Sequence, residues 1–506
     1  MTARTLMVQG TASTVGKSVL VAALCRIFKQ DGIRVAPFKA QNMALNSFVT
    51  REGGEIGRAQ AVQAEAAGVE ASVDMNPVLL KPEADARSQV IVLGKVAATA
   101  TAARYYDYTP ALLEVVRVSL ERLRSAYDVV VIEGAGSPAE INLKEREIAN
   151  MRVARMAGAP VLLVGDIDRG GVFASVVGTL ALLDEEERRY VRGIVINKFR
   201  GDVELLKPGL QALEALTSKP VLGVVPYFRD ILIAQEDSVY LDERAEAPPA
   251  VDLEVAVVRL PHISNYDDFD PLEEEGCRVR YVSGTSELDW PDLIIVPGTK
   301  STIADLRHLW RSGLAEAIVR LANQGTPVVG VCGGYQMLGK SLHDAQGVES
   351  GAGAALGLGL LDMVTAFAPD KSTAQVRGKV VHSAGMLRGM RGVEVMGYEI
   401  HMGRSVLGQD GGAFHVFETP NGAADYIDGA VNAEGTVLGT YIHGLFHNGG
   451  FRRALLNNLR RRRGLPERWD RPVEDRDRQY DRLADHVRRS LDMPAVYRIL
   501  EEGTTL

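Results

Sequence analysis

Two doubly wound, mostly parallel α/β domains in tandem, closed by a helical C-terminal tail, are the architecture the sequence predicts. Three observations carry that expectation. Short β-branched runs alternate with alanine- and leucine-rich helical stretches over most of the chain, the pattern of parallel strands covered by helices on both faces. At 506 residues the chain is too long for one hydrophobic core, so two or three domains are expected. Near the middle, Ala245-Glu246-Ala247-Pro248-Pro249-Ala250 turns polar and proline-rich before a new strand begins, which marks a linker. The expected domains are therefore residues 1–245, 251–449 and 450–506.

The first strand, Thr5–Gln9, runs into Gln9-Gly10-Thr11-Ala12-Ser13-Thr14-Val15-Gly16-Lys17-Ser18. A strict phosphate-binding loop places four residues between its first Gly and the Gly-Lys pair. Here five residues, Thr11 to Val15, separate Gly10 from Gly16. The physical requirements still hold: a strand ends, small residues let N–H groups point inward, and a helix starts near Lys17. Lys17 can reach terminal phosphates, and the Ser18 hydroxyl suits Mg²⁺. A turn with a chance Gly-Lys-Ser is the alternative, and the agreement of strand, loop and helix argues against it.

The strand Val129–Ile132 ends at Glu133, followed by Gly134-Ala135-Gly136. A carboxylate at the C-terminal end of such a strand would sit beside the phosphates and hold Mg²⁺ directly or through water. A solvated strand-end glutamate is the other reading. Next come strands Val161–Val164 and Gly193–Ile196, the latter followed by Asn197 and Lys198, a candidate base-recognition corner.

Strands Leu253–Val258, Leu293–Val296 and Pro327–Val331 open the second sheet. The last leads into Cys332-Gly333-Gly334-Tyr335-Gln336, which fits the small-x-nucleophile-x-small elbow with Cys as nucleophile. A lone buried Cys is usually structural, but in this elbow the glycines permit a strained turn that presents the sulfur. The base such a nucleophile needs is His443, placed after another strand. An oxyanion hole would combine the Gly333 N–H with one from Val296-Pro297-Gly298-Thr299. Residues 346–392 are glycine-rich and weakly periodic, an expected elaboration of the second sheet. From Gly450 onward the residues read as helices, and Arg460-Arg461-Arg462-Arg463 before Gly464 reads as a solvated helix end.

Composition narrows the classes. Apolar residues make up 46% and charged residues 24%, as in ordinary soluble domains. A net charge of −8 gives no general electrostatic case for nucleic acid. Three scattered cysteines, Cys25, Cys277 and Cys332, do not make a disulfide framework and favour a reducing compartment. With no secretory leader after Met1 and no apolar run of about 20 residues, a cytoplasmic, non-membrane protein is expected.

The five-residue spacing resembles the deviant phosphate loop of dethiobiotin synthetases and their amidotransferase relatives. Cys332–Gln336 with His443 is similar to the class I glutamine amidotransferases, in which the position of Gln336 contacts glutamine. One departure stands out. Those enzymes carry His-Pro-Glu where this chain has His443-Gly444-Leu445, so the orienting carboxylate is absent from the motif. A Cys–His dyad, or a substitute acid such as Glu399, is then expected. The cobalamin-pathway branch also lacks that Glu.

Longer stretches resemble that branch, and within it the cobyric acid synthase family: Pro37-Phe38-Lys39-Ala40-Gln41-Asn42-Met43-Ala44-Leu45-Asn46-Ser47, Asn76-Pro77-Val78-Leu79-Leu80-Lys81-Pro82, Glu133 to Leu143, and Gly397-Tyr398-Glu399-Ile400-His401-Met402-Gly403. The resemblance implies a nucleotide-binding set of Gly10, Thr11, Gly16, Lys17, Ser18, Lys39 and Asn197, with Ser18 and Glu133 on the metal. It implies glutamine, ATP, Mg²⁺ and a corrinoid as ligands, and amidation of the b, d, e and g carboxylates of adenosylcobyrinic acid a,c-diamide. A shielded ammonia path between Cys332 and Lys17 follows. The nearest rival is the a,c-diamide synthase of the same pathway. A non-catalytic nucleotide switch would need no cysteine elbow. Neither the oligomeric state nor the corrin-contacting residues can be read from the chain.

Overall fold

A computed structural model describes residues 2–82, 87–101, 109–228, 251–349, 353–469 and 476–504. The expected linker, Ala245–Ala250, lies outside the described residues. Two parallel sheets dominate, as the sequence predicts. The first has six strands in the order Val221–Pro226, Val191–Phe199, Val161–Asp166, Arg4–Gly10, Val129–Glu133, Val35–Phe38, all parallel. Its strands are nearly unbroken apolar runs because helices cover both faces; every residue of Val129–Glu133 is buried. The chain fills one side of Arg4–Gly10 first, the edge strand Val35–Phe38 before Val129–Glu133 between them, and then builds the other side. Arg4–Gly10 therefore stands at the switch point, where open α/β sheets bind ligands beyond their strand ends.

Between the second and third strands of this winding, a separate small sheet forms from Gln41–Met43, Val78–Pro82, Arg87–Val92 and Lys95–Thr101. The second large sheet runs Cys277–Val282, Leu253–Val258, Leu293–Val296, Val328–Val331, Val437–Thr440, with Ala430–Val431 antiparallel at the edge.

The glycine-rich region does not extend that sheet. It contributes to a third, mainly antiparallel one, in which Met363–Val380 pairs with Glu394–Leu407, Ser341–Asp344 and Phe414–Thr419. Burial alternates along Met363–Phe367, as in a sheet with one wet face.

The tail is three helices that grip both domains. Gly449–Arg462 packs on the second domain, while Arg476–Ser490 and Met493–Glu502 return to the first. The arginine run is not a uniformly solvated helix end. Arg460 is fully buried, with Nε 2.9 Å from Asp252 Oδ2 and Nη2 donating to Glu275 O at 3.0 Å. Arg463 pairs with Asp292, and Arg461 remains outside with Glu467. Successive helical residues point about 100° apart, so one run serves several surroundings. No described helix is long and apolar enough to cross a membrane.

Candidate active sites

The phosphate loop leaves its strand at Gly10 and enters the helix Lys17–Gln30. Thr11 N–H donates to Val164 O at 2.9 Å, which commits it to the sheet, so the loop turns inward beyond it. Gly16 has φ 95°, and a Cβ there would lie 2.2 Å from Asn197 Nδ2. Asn197 in turn donates to Val15 O at 2.8 Å and braces the loop from the strand Val191–Phe199, one strand beyond the loop's neighbour Val161–Asp166. Ser13, Thr14, Gly16, Lys17 and Ser18 line a cavity of about 710 Å³, together with Lys39, Glu133 and Asn197. Lys17 Nζ spans the cradle, donating to Ala12 O at 2.9 Å and Gly136 O at 3.0 Å.

Glu133 lies at the floor of this cradle. It accepts from Ser18 Oγ at 2.8 Å, Lys39 Nζ at 2.8 Å and Gln63 Nε2 at 2.5 Å. Burial pushes its carboxyl upward, but the Lys39 ammonium and these hydrogen bonds outweigh that and hold it below its ordinary value. A hydroxyl beside an ionised carboxylate is a hard-oxygen donor set, which fits Mg²⁺ sharing its remaining positions with phosphates and water. Among the described residues no three His, Cys, Asp or Glu cluster into a closed metal cage.

The thiol centre is built at the end of Val328–Val331. Cys332 adopts φ 51° and ψ −110°, a strained conformation at the head of the helix Gly333–Leu338. The turn needs its second glycine, because a Cβ on Gly334 would approach Val296 O to 1.9 Å. Gly333 lies against Thr299, and Gly298 lies against the His443 ring, so the loop after Leu293–Val296 reaches both the elbow and the base. Cys332 Sγ is 3.5 Å from Ile400 O. Gln336 is buried: its Nε2 donates to Met402 O at 2.9 Å and Tyr441 OH at 3.2 Å, and its Oε1 accepts from Thr302 at 3.3 Å.

A carboxylate does meet the His443 ring, and it is Asp268. Its Oδ2 is 2.6 Å from His443 Nδ1, while its Oδ1 accepts from Gly444 N–H at 2.8 Å. His443 is buried, which opposes charging, yet Asp268 first and Cys332 next outweigh that and push the imidazole up to about 10. Glu399 does not serve as the substitute acid; it accepts from Tyr426 OH at 3.0 Å and lies 3.9 Å from His401. Sequence reasoning missed Asp268 because it lies 175 positions from His443 on a short helical turn, Tyr266–Phe269. The signal available was a paired acid, Asp267-Asp268, between aromatics in an otherwise loop-like stretch.

Asp267 faces the other way. Its Oδ2 is 2.8 Å from Arg58 Nε, a buried ion pair between the two domains. Arg58 opens the helix Arg58–Ala67, which also carries Gln63 to Glu133. Beside it, Asn265 accepts from Ser47 N–H at 3.0 Å and donates to Tyr398 OH at 3.1 Å, and Tyr398 stacks on His443 at 5.3 Å. A second buried contact joins Glu55 to Lys81 and to Lys371 of the second domain. Burial, partly offset by Glu55, lowers the Lys371 ammonium to about 8.

Comparison with known proteins agrees with this geometry. Residues 6–239 match the family described as the CobQ/CobB/MinD/ParA nucleotide binding domain, and residues 254–451 match the CobB/CobQ-like glutamine amidotransferase domain. A cobyric acid synthase of Dehalococcoides mccartyi strain CBDB1 is 62% identical over 501 residues, covering 99% of each chain. One from Sorangium cellulosum is 57% identical over 515 aligned residues, again covering 99% of each chain. One from Yersinia enterocolitica is 53% identical over 504 residues, covering 98% of each.

Proposed function

The chain belongs to the cobyric acid synthase family, and from that premise we propose that its two centres act in series, one releasing ammonia and the other activating corrin carboxylates to receive it. The enzyme is a ligase of cobalamin biosynthesis that amidates at the expense of glutamine. The substrate is adenosylcobyrinic acid a,c-diamide, and amidation of its b, d, e and g carboxylates gives cobyric acid.

At the thiol centre the Cys332 thiol gives its proton to His443 as the sulfur attacks the carboxamide carbon of glutamine. Donors from Gly333 and the Gly298 loop stabilise the oxyanion. His443, held by Asp268, then delivers that proton to the departing ammonia. Water then cleaves the thioester to glutamate and returns the thiol. At the phosphate centre a corrin carboxylate oxygen attacks the γ-phosphorus of ATP, giving ADP and an acyl phosphate. Lys17 and Lys39 offset the charge on the transferring group. Mg²⁺, held by Ser18 and Glu133, would supply further charge neutralisation on the phosphates. Ammonia attacks the acyl carbon and expels phosphate.

The observation that supports coupling in one chain is the helix Arg58–Ala67. It contacts Glu133 through Gln63 and the acid pair behind His443 through Arg58. The reading is tested by a mass-resolved assay on corrin acids, with glutamine or ammonium as donor. Four successive mass steps of one amide each are expected on the a,c-diamide. Amidation only of the unamidated corrin acid, at two positions, would identify the a,c-diamide synthase instead.

A further inference from the structure

We propose that the tail helix Arg476–Ser490 walls a nucleobase subsite of the phosphate cavity, where Phe228 and His486 together form an aromatic corner against the base of a nucleoside triphosphate. This rests on the nucleotide reading above and adds where the base lies and which part of the chain holds it.

The cavity is lined by Lys17 and Ser18, by Asn197, and by Phe228, His486 and Val487. A nucleotide bound by its phosphates at the loop extends along the C-terminal ends of the parallel strands. The outermost of those strands is Val221–Pro226, and the helix Arg476–Ser490 packs directly beside it. Chemistry changes along the same line. The loop offers ammonium groups and N–H donors, whereas Phe228, Leu483, His486 and Val487 make an aromatic and aliphatic wall, with the Arg482 guanidinium 5.9 Å from the Phe228 ring centre. The Phe228 and His486 rings meet edge to face, with centroids 4.5 Å apart and planes at 61°. His486 Nε2 lies 2.9 Å from Pro226 O, which fixes the ring at the cavity edge. A base has two apolar faces and a polar rim, and such an aromatic corner suits it.

The wall is rigidly placed, which a recognition surface needs. Arg26 binds Asp477 and Asp481, each at 2.7 Å, and Arg488 binds Asp31 at 2.9 Å. Tyr480 OH donates to Glu65 at 2.8 Å. Leu483 and Val487 share a core with Leu20 and Leu24 of the helix that follows the phosphate loop. At the end of the helix the chain lies so close to Gly223 that a Cβ there would come within 2.1 Å of Ser490 O. The last part of the chain thus completes a pocket begun by the first.

The test uses the full chain, with Phe228→Ala, His486→Ala and the conservative His486→Phe, all at half-buried positions. Calorimetry measures binding of ATP and, separately, of inorganic tripolyphosphate, which has the phosphates without the base. Both alanine variants are expected to weaken ATP about tenfold while leaving tripolyphosphate within about twofold. His486→Phe keeps a ring in place and should recover most of the ATP affinity. Equal weakening of both ligands, or ATP binding unchanged in both alanine variants, overturns the subsite. If the wild type binds neither ligand and Lys17→Ala changes nothing, the nucleotide reading itself fails and the subsite with it.

Discussion

Asp268 and His443 meet at 2.6 Å although 175 positions separate them in the chain. The carboxylate reaches the base from the turn after the first strand of the second domain, not from the residues that follow the histidine. Its second oxygen fixes the backbone of Gly444, so the acid orients both the ring and the loop that carries it. Replacing Asp268 by Asn keeps the shape but removes the charge that favours imidazolium. Glutaminase kcat is expected to fall by about a hundredfold or more, with the KM for glutamine little changed. An activity within a few-fold of wild type would show that His443 needs no acid.

The same pair makes stability depend on pH. Although burial opposes it, the attraction of Asp268 and then Cys332 raises His443 from about 6.5 to about 10. A group raised in the folded state contributes its full stability below the unfolded value and loses it as pH rises through the folded one. The contribution is therefore complete below pH 6.5 and fades by pH 10. The Tm deficit of Asp268→Asn should be largest near pH 6 and narrow as pH climbs. A deficit that widened with pH would mean the charge on His443 has another source.

Much of this was legible because it is local. Val129–Ile132, Leu253–Val258 and Leu293–Val296 are continuous β-branched runs, and that pattern directly reflects burial on both faces. The Cys332 turn is likewise spelled out by adjacent glycines. What escaped depends on long-range contacts. Asp268 meets His443, and Arg58 meets Asp267, only after two domains have formed. Arg460 sits in a run that reads as solvated, yet its own direction from the helix takes it to Asp252 and Glu275. Thr11 looks like part of the anion cradle by spacing, but its N–H completes the sheet at Val164.

Cys332→Ala should abolish glutamine-dependent amidation and leave synthesis from high ammonium salt. On the proposed reading the sulfur releases ammonia, and its contact with Ile400 O lies within the second domain. Product mass would be followed with each donor. Loss with both donors, in a protein of unchanged Tm, would contradict the division of labour.

Lys17→Ala should lose synthesis with either donor, since both routes need the acyl phosphate. Lys17 bridges Ala12 O and Gly136 O over the cradle and stands where terminal phosphates would lie. Removing that charge should cost about 3 kcal/mol or more of transition-state stabilisation. Basal glutaminase, measured as glutamate release, should persist. Ammonium-dependent turnover at the wild-type rate would place phosphoryl transfer elsewhere.

Arg58 touches neither the thiol nor the phosphate loop, yet both centres should respond to its loss. Its guanidinium pairs with buried Asp267, which burial pushes above its ordinary value, partly countered by Arg58 and, less, by Arg476, while Asp268 adds to the push. Arg58→Ala leaves an uncompensated carboxyl next to Asp268, which should destabilise the protein by about 3–5 kcal/mol. Removing both charges, as Arg58→Met with Asp267→Leu, should recover most of that stability, since an apolar pair of similar volume often replaces a buried ion pair without loss. Denaturant unfolding of the two single variants and the double variant gives the interaction energy directly. If the ion pair also aligns the Asp268 turn with the helix Arg58–Ala67, the double variant will be stable but will hydrolyse glutamine with no stimulation by ATP and corrin. A double variant stimulated as strongly as wild type would show that communication between the centres runs through another contact, and the stacked Tyr398 with its hydroxyl on Ser47 O would be the next to test.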